Sequence, residues 1–187
     1  MTVTLGPMIK ISNVGDTIIG LYNTSAGQST GGYDGLYASS VELPPQAMDD
    51  NVNTKYVNNG IQGTFTATLL NPGANTGFFV IPSVSNASLA VAVRFATAND
   101  YPNRDPITIT LEGSNESNTT ALHLGSSWTL IYNGSTGLLP VNTRKTYGVQ
   151  QNFSNTQRFR SYRLLITTQR DLTDCVQYSE SVIIGHA

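Results

Sequence analysis

Residues 47 to 60 read AMDDNVNTKYVNNG: two aspartates, four asparagines and a threonine crowd around one lysine and one tyrosine. Oxygen-bearing side chains at this density suit three tasks. Asx-rich turns satisfy their own backbone, polar loops grip sugar hydroxyls, and hard cations such as calcium collect about six to eight oxygens at flexible geometry. Asp49, Asn51 and Thr54 lie close enough along the chain for one tight bend to present them together. Spacing alone leaves turn, metal loop and sugar loop open. A second mixture of this kind is Asn99-Asp-Tyr-Pro-Asn-Arg104, in which Tyr101 offers a flat ring and Asn99, Asp100 and Arg104 offer hydrogen bonds. Its bland counterpart is an Asx-type turn with Arg104 paired to Asp105.

Other chemistry is missing. The histidines are His123 and His186, and neither sits in a metalloprotease spacing. No nucleophile elbow, phosphate loop or strand-linked glycine fingerprint occurs. The adjacent acids Asp49 and Asp50 would point to opposite faces of a strand, and Asp171 with Asp174 reads as a solvated pair. The inventory predicts no catalysis. Cys175 is the only cysteine, so no internal disulfide can form, and it reads as a small buried hydrophobe. The basic group Arg158, Arg160, Arg163 and Arg170 reads as a solvated sheet face with partners among Asp171 and Asp174.

Composition narrows the setting. Charged residues make up 12% of the 187, with a net charge of −2, so no attraction to nucleic acid or anionic membrane is expected. Ser, Thr, Asn and Gln carry solubility instead, which fits an extracellular or surface β-protein. No apolar run approaches the roughly 20 residues of a membrane span, and the N-terminus has no signal-peptide pattern as it stands. Sequons at Asn23, Asn86, Asn115, Asn118, Asn133 and Asn152 mildly exceed chance and mark expected N-glycosylation positions.

The elements that must position these residues are strands. Leu89-Ala-Val-Ala-Val-Arg-Phe-Ala-Thr97 alternates, with Leu89, Val91, Val93 and Phe95 expected on one face. Ile107 to Glu112, Trp128 to Tyr132 and Tyr162 to Thr167 alternate likewise. Further strands are expected over Asp16 to Tyr22, Thr64 to Leu70, Phe78 to Ile81, Tyr147 to Phe153 and Val176 to Ile184. Asn71-Pro-Gly, Gly113-Ser-Asn and Asn133-Gly-Ser supply turns, and Asn23 to Gly35 reads as one long surface loop. No helical period of useful length appears. The prediction is all-β: one antiparallel β-sandwich (jelly roll) over residues 15–187, preceded by an extended arm over residues 1–14.

Ala47-Met-Asp49-Asp-Asn51-Val-Asn-Thr54-Lys-Tyr56 resembles the A-x-D-G-N-x-x-T-x-W signature of discoidin, or coagulation factor five/eight type C, domains. These galactose-binding-like jelly rolls include family 32 carbohydrate-binding modules. The resemblance continues in order through Asn75 to Pro82, Phe95 to Pro106, Thr110-Leu-Glu-Gly-Ser-Asn115, Trp128 to Ile131, Ser161 to Leu164 and Val176 to Glu180. It spans about Asp16 to Gly185, nearly the whole chain. It implies a structural calcium ion held by the Asp49 carboxylate, backbone carbonyls of Ala47 and Asn51, the hydroxyl and carbonyl of Thr54, and Glu180 from the last strand. Asp50 stands where the signature has glycine, and Tyr56 where it has tryptophan.

The resemblance also implies an extracellular, non-catalytic binding or adhesion module recognising a glycan or glycoprotein through loops at one end, with Asn99, Asp100, Tyr101 and Arg104 as candidate contacts. Tyr33 and Tyr37 form a weaker second group. Lipid-binding relatives carry apolar spikes, which only Leu138-Leu139 approaches here, so membrane insertion is not expected. The alternative is a structural subunit of an extracellular filament or coat. There the arm, with Thr2-Val-Thr-Leu and Met8-Ile-Lys-Ile, would self-associate by adding a strand to a neighbour.

Overall fold

The computed structural model describes residues 5–61 and 71–187; the expected strand over Thr64 to Leu70 and the arm stretch from Thr2 lie outside them. Twelve strands occur among the described residues. The first six are β1 (Ile9–Lys10), β2 (Thr17–Tyr22), β3 (Gly32–Tyr33), β4 (Tyr56–Asn58), β5 (Thr76–Ile81) and β6 (Leu89–Ala96). The others are β7 (Pro106–Ser114), β8 (Thr129–Ser135), β9 (Gln151–Asn152), β10 (Ser161–Gln169), β11 (Val176–Tyr178) and β12 (Glu180–His186). A six-stranded sheet runs β3-β2-β5-β10-β7-β8, a four-stranded sheet β1-β12-β6-β9, and β4 pairs with β11. Every strand pairing is antiparallel. This is the expected sandwich.

The main core lies between the two large sheets. Phe78 and Val80 of β5, Ile109 and Leu111 of β7, and Tyr162, Leu164 and Ile166 of β10 face Val93 and Phe95 of β6 and Ile183 of β12. Period-two alternation places these side chains together. The alternation of β6 breaks once. Gly185 opposes Ala90 and Ile184 opposes Ala92, leaving Val91 as a bulged residue, so Ala90 joins the core side and Val91 leaves it. The expected common face of Leu89, Val91, Val93 and Phe95 is therefore split.

The six-stranded sheet also buries its outer face. Leu21, Phe79, Leu122, Trp128 and Leu165 form a second cluster there, beneath a single helical turn, α1 (Thr119–Leu122), capped by the Asn118 side chain. Directly opposed in the β10–β7 register, Arg163 and Glu112 form a fully buried ion pair at 2.7 Å. The Arg163 guanidinium lies 4.8 Å from the Trp128 ring centre. The glycine-rich loop closes over it: Gly27 N–H donates to Glu112 and Arg163 donates to the Gln28 carbonyl. The arginine group is thus not a solvated basic face. Arg163 is core, Arg170 binds buried Asp105, and Arg158 and Arg160 stay exposed. The long loop expected from Asn23 to Gly35 likewise contains β3.

Part of the expected arm belongs to the sheet. Ile9 and Lys10 pair with Gly185 and Ile184 of β12, and Ile11 is fully buried in the main core.

Candidate functional site

The polar stretch forms a bend at one pole. A 3-10 turn, Pro44–Ala47, leads into it, and β4 leads out into the core, where Tyr56 packs edge-on against Tyr178 at 5.5 Å. Asp50 adopts φ 59, the left-handed conformation that glycine takes without cost and aspartate tolerates. Its carboxylate turns outward to Lys10, while Asp49 turns inward. The divergence expected for a strand thus arises here in a bend, from the left-handed backbone of Asp50.

Glu180 reaches the bend from β12. The Asn51 N–H donates to Asp49 Oδ1 at 3.0 Å and to Glu180 Oε1 at 2.8 Å, so one amide marks where the two carboxylates meet. The Thr54 hydroxyl lies 2.9 and 2.8 Å from the two Asp49 oxygens. The Ala47 carbonyl accepts a hydrogen bond from the Ser181 hydroxyl at 3.2 Å. Glu180 is fully buried and its Oε2 has no hydrogen-bond partner. Burial pushes its pKa up to about 7, against the pull of the Asn51 amide and Lys10, and neighbouring Asp49 pushes the same way. Burial, followed by the charges of Glu180, Asp50 and Asp49, drives the nearby Tyr147 phenol up to about 12. Among the described residues no three His, Cys, Asp or Glu side chains are grouped to hold a metal. The bend offers two carboxylates and neutral oxygens, a donor set suited to a hard cation rather than to zinc.

The second polar loop stands at the same pole. Asp100 accepts from Lys55 at 2.9 Å and from Gln177 Nε2 at 2.9 Å. Burial would raise its pKa, but these two hydrogen bonds and the charges of Lys55 and Arg104 hold it below the usual carboxylate value. Tyr101, at φ 40, is 56% exposed. The Arg104 guanidinium sits 4.2 Å from its ring centre and pairs with Asp174 at 2.8 Å. The expected Arg104–Asp105 pair does not form, because Asp105 is buried between Arg144 and Arg170. Asn99 lines a cleft of about 220 Å³ with Val41, Glu42, Asn53, Thr54 and Lys55. The structure therefore joins the two polar stretches through Lys55. Sequence reasoning assigned no role to Glu42, Asn53, Lys55 and Gln177; the one lysine inside the polar stretch was the available signal.

Other candidates are more scattered. Tyr33 is exposed and packs on His123, at the outer face of the six-stranded sheet, whereas Tyr37 packs near Tyr56. Leu138 is buried and only Leu139 is exposed, so the suggested spike is a single residue. Asn23, Asn86, Asn115, Asn118, Asn133 and Asn152 are all exposed. Among the described residues no helix is long and apolar enough to cross a membrane.

The antiparallel β-sandwich has the galactose-binding-like fold seen in solved family 32 carbohydrate-binding modules. No family model matches the chain, and no curated protein matches it in sequence. Solved structures share the fold at low identity. The family 32 module of Clostridium perfringens NanJ, in complex with galactose, matches at a TM-score of 0.58 and 10% identity, covering 95% of this chain and 99% of that one. The family 62 module of Clostridium thermocellum Xyl5A matches at 0.56 and 15%, covering 95% and 97%. A further Clostridium perfringens family 32 module, in complex with GalNAc-β-1,3-galactose, matches at 0.52 and 11%, covering 78% and 86%.

Proposed function

We propose that this chain is a non-catalytic, extracellular carbohydrate-binding module that takes a glycan at the pole formed by the bend and the Asn99–Arg104 loop. The cleft beside Asn99 is the observation that carries this reading. It brings amide, hydroxyl, ammonium and carboxylate groups together, a combination that grips hydroxyls, and its Asn99 lies two residues before the exposed Tyr101, whose ring suits a pyranose face. Arg104 stacks on the Tyr101 ring and pairs with Asp174, and Lys55 and Gln177 hold Asp100, so the loop that follows Asn99 is pre-organised. Two of the modules sharing this fold were solved with galactose or a galactose-containing disaccharide, which makes such sugars the first to try. Titration calorimetry with both sugars should show binding that weakens about tenfold or more in Tyr101→Ala and in Asn99→Ala. No binding to a broad glycan array, or binding by both variants as tight as that of the wild type, would remove this reading.

The bend is further proposed to hold a structural calcium ion, supported by the unpartnered, buried Oε2 of Glu180 and by two carboxylates meeting at one amide. Asp49 and Glu180 would supply charge, with Thr54, Ala47 and Asn51 adding neutral oxygens. The ion would link an early bend to the last strand. Assembly by exchange of residues 1–14 has less support, because Ile9 to Ile11 already pack on their own β12 and core. The six exposed sequons fit an exported glycoprotein with a role in adhesion.

A further inference from the structure

The cleft beside Asn99 has an uneven charge balance. Glu42 and Lys55 both line it, and their side chains are sheltered, 18% and 15% exposed. Lys55 carries the only ammonium among the described residues that line it, and two carboxylates share that ammonium. Asp100, next to Asn99 in the chain, takes the hydrogen bond at 2.9 Å, and Gln177 Oε1 accepts another from Lys55 at 3.2 Å. Glu42 stands 3.6 Å from the same nitrogen, within ion-pair reach but too far for a hydrogen bond. Among the described residues nothing donates a hydrogen bond to its carboxylate.

The surroundings do not cancel this charge. Arg104 pairs with Asp174 at 2.8 Å and Lys10 with Asp50 at 2.6 Å, so both cations are matched. Asp49 and Glu180, in the bend behind the cleft, add no positive charge of their own. Lys145 reaches Asn53 Oδ1 at 3.0 Å, but it is exposed, and water and salt screen a solvated charge far more than a sheltered one. One negative charge is left over in the wall, and it belongs to Glu42.

We infer that the cleft selects its glycan by charge, with Glu42 as the specificity-determining residue: sugars bearing a free amine bind in preference to neutral ones, and neutral ones in preference to uronic acids. This inference rests on the glycan reading above and narrows it. An ionised carboxylate only accepts hydrogen bonds. A hydroxyl of a neutral sugar would donate one to Glu42, and an ammonium would donate a charge-assisted one of roughly twice the strength. A sugar carboxylate would set a second acceptor of like charge against the first, while Asp100 and Gln177 already occupy Lys55. Acetylation of the amine removes its charge, so N-acetylated sugars should rank with neutral ones.

Titration calorimetry with galactose, galactosamine and galacturonic acid tests the order, at about pH 6 so that the amine is protonated. Galactosamine should bind about fivefold tighter than galactose and galacturonic acid about fivefold weaker, both gaps shrinking in high salt. Glu42→Gln should bring the three affinities within about twofold of one another, whereas Glu42→Asp, which keeps the charge, should retain the order. Lys145→Gln should retain it too. A glycan array extends the test beyond galactose: the bound set should be neutral or amine-bearing. The wild-type order and the array decide the matter should a Glu42 variant fold poorly. Galacturonic acid binding as tightly as galactose, an order that survives Glu42→Gln, or an array set dominated by uronic or sulfated sugars would overturn the inference and leave the glycan reading standing. Binding to no sugar at all would remove both.

Discussion

At the scale of single residues, Glu180 is the informative side chain. A fully buried carboxylate beside Asp49, with one oxygen unpaired, is unfavourable when charged and without a cation. Its folded pKa of about 7 lies above its ordinary value of 4.5. For such a group the stabilising effect is fully present below the unfolded pKa and lost as pH rises through the folded one. In chelator the melting temperature should therefore fall from about pH 4.5 to 7 and flatten above it. Calcium should reverse that trend, because the ion favours the charged form. Thermal melts at several pH values, with EGTA or with calcium, check this. At about a hundredfold excess over its dissociation constant the ion adds about 3 kcal/mol, and Asp49→Asn should lose most of that gain. A flat melting profile in chelator, unchanged by calcium, would speak against both the buried charge and the ion.

At the scale of elements, the outer face of the six-stranded sheet shows how β10 and β7 hold a loop with a charge pair. Arg163 and Glu112 face each other across the register and each takes a backbone partner from the glycine-rich loop. Losing one partner strands the other's charge in the interior. Glu112→Gln should cost about 3–5 kcal/mol in urea denaturation, whereas the double change Arg163→Met with Glu112→Leu should recover much of that loss. Equal losses in both variants would mean the pair matters through shape alone. The sequence showed these strands clearly, because large apolar residues recur at every second position of Ile107 to Glu112 and Tyr162 to Thr167. It did not show that Arg163 is buried: an arginine on the non-core face of a strand reads as solvated unless another element covers that face. The bulge at Val91 was hidden for a related reason, since it exists only against the partner strand β12.

At the scale of the whole molecule, one core links both ends of the chain. Ile11 and Ile183 share it with Tyr56 and Tyr178. Cys175 sits beside this core at 2% exposure, and burial pushes its thiol up to about 12. A thiol reagent at neutral pH should therefore react only through unfolding, at a rate that tracks the unfolded population under mild denaturant. Rapid labelling of the native protein would show that the last third of the chain opens locally. By itself the sequence determined the all-β class, the order of most strands and the bend at Asp49, because alternation and turn residues act over a few neighbours. The meeting of Glu180 with the bend was legible only through the resemblance, whereas tertiary structure alone decided that Lys55 ties the bend to Asp100 and that Asp105 pairs with Arg144 and Arg170 and not with Arg104. The hydrogen bonds that make these contacts join residues between 39 and 129 positions apart, and nothing local to either partner encodes the distance between them.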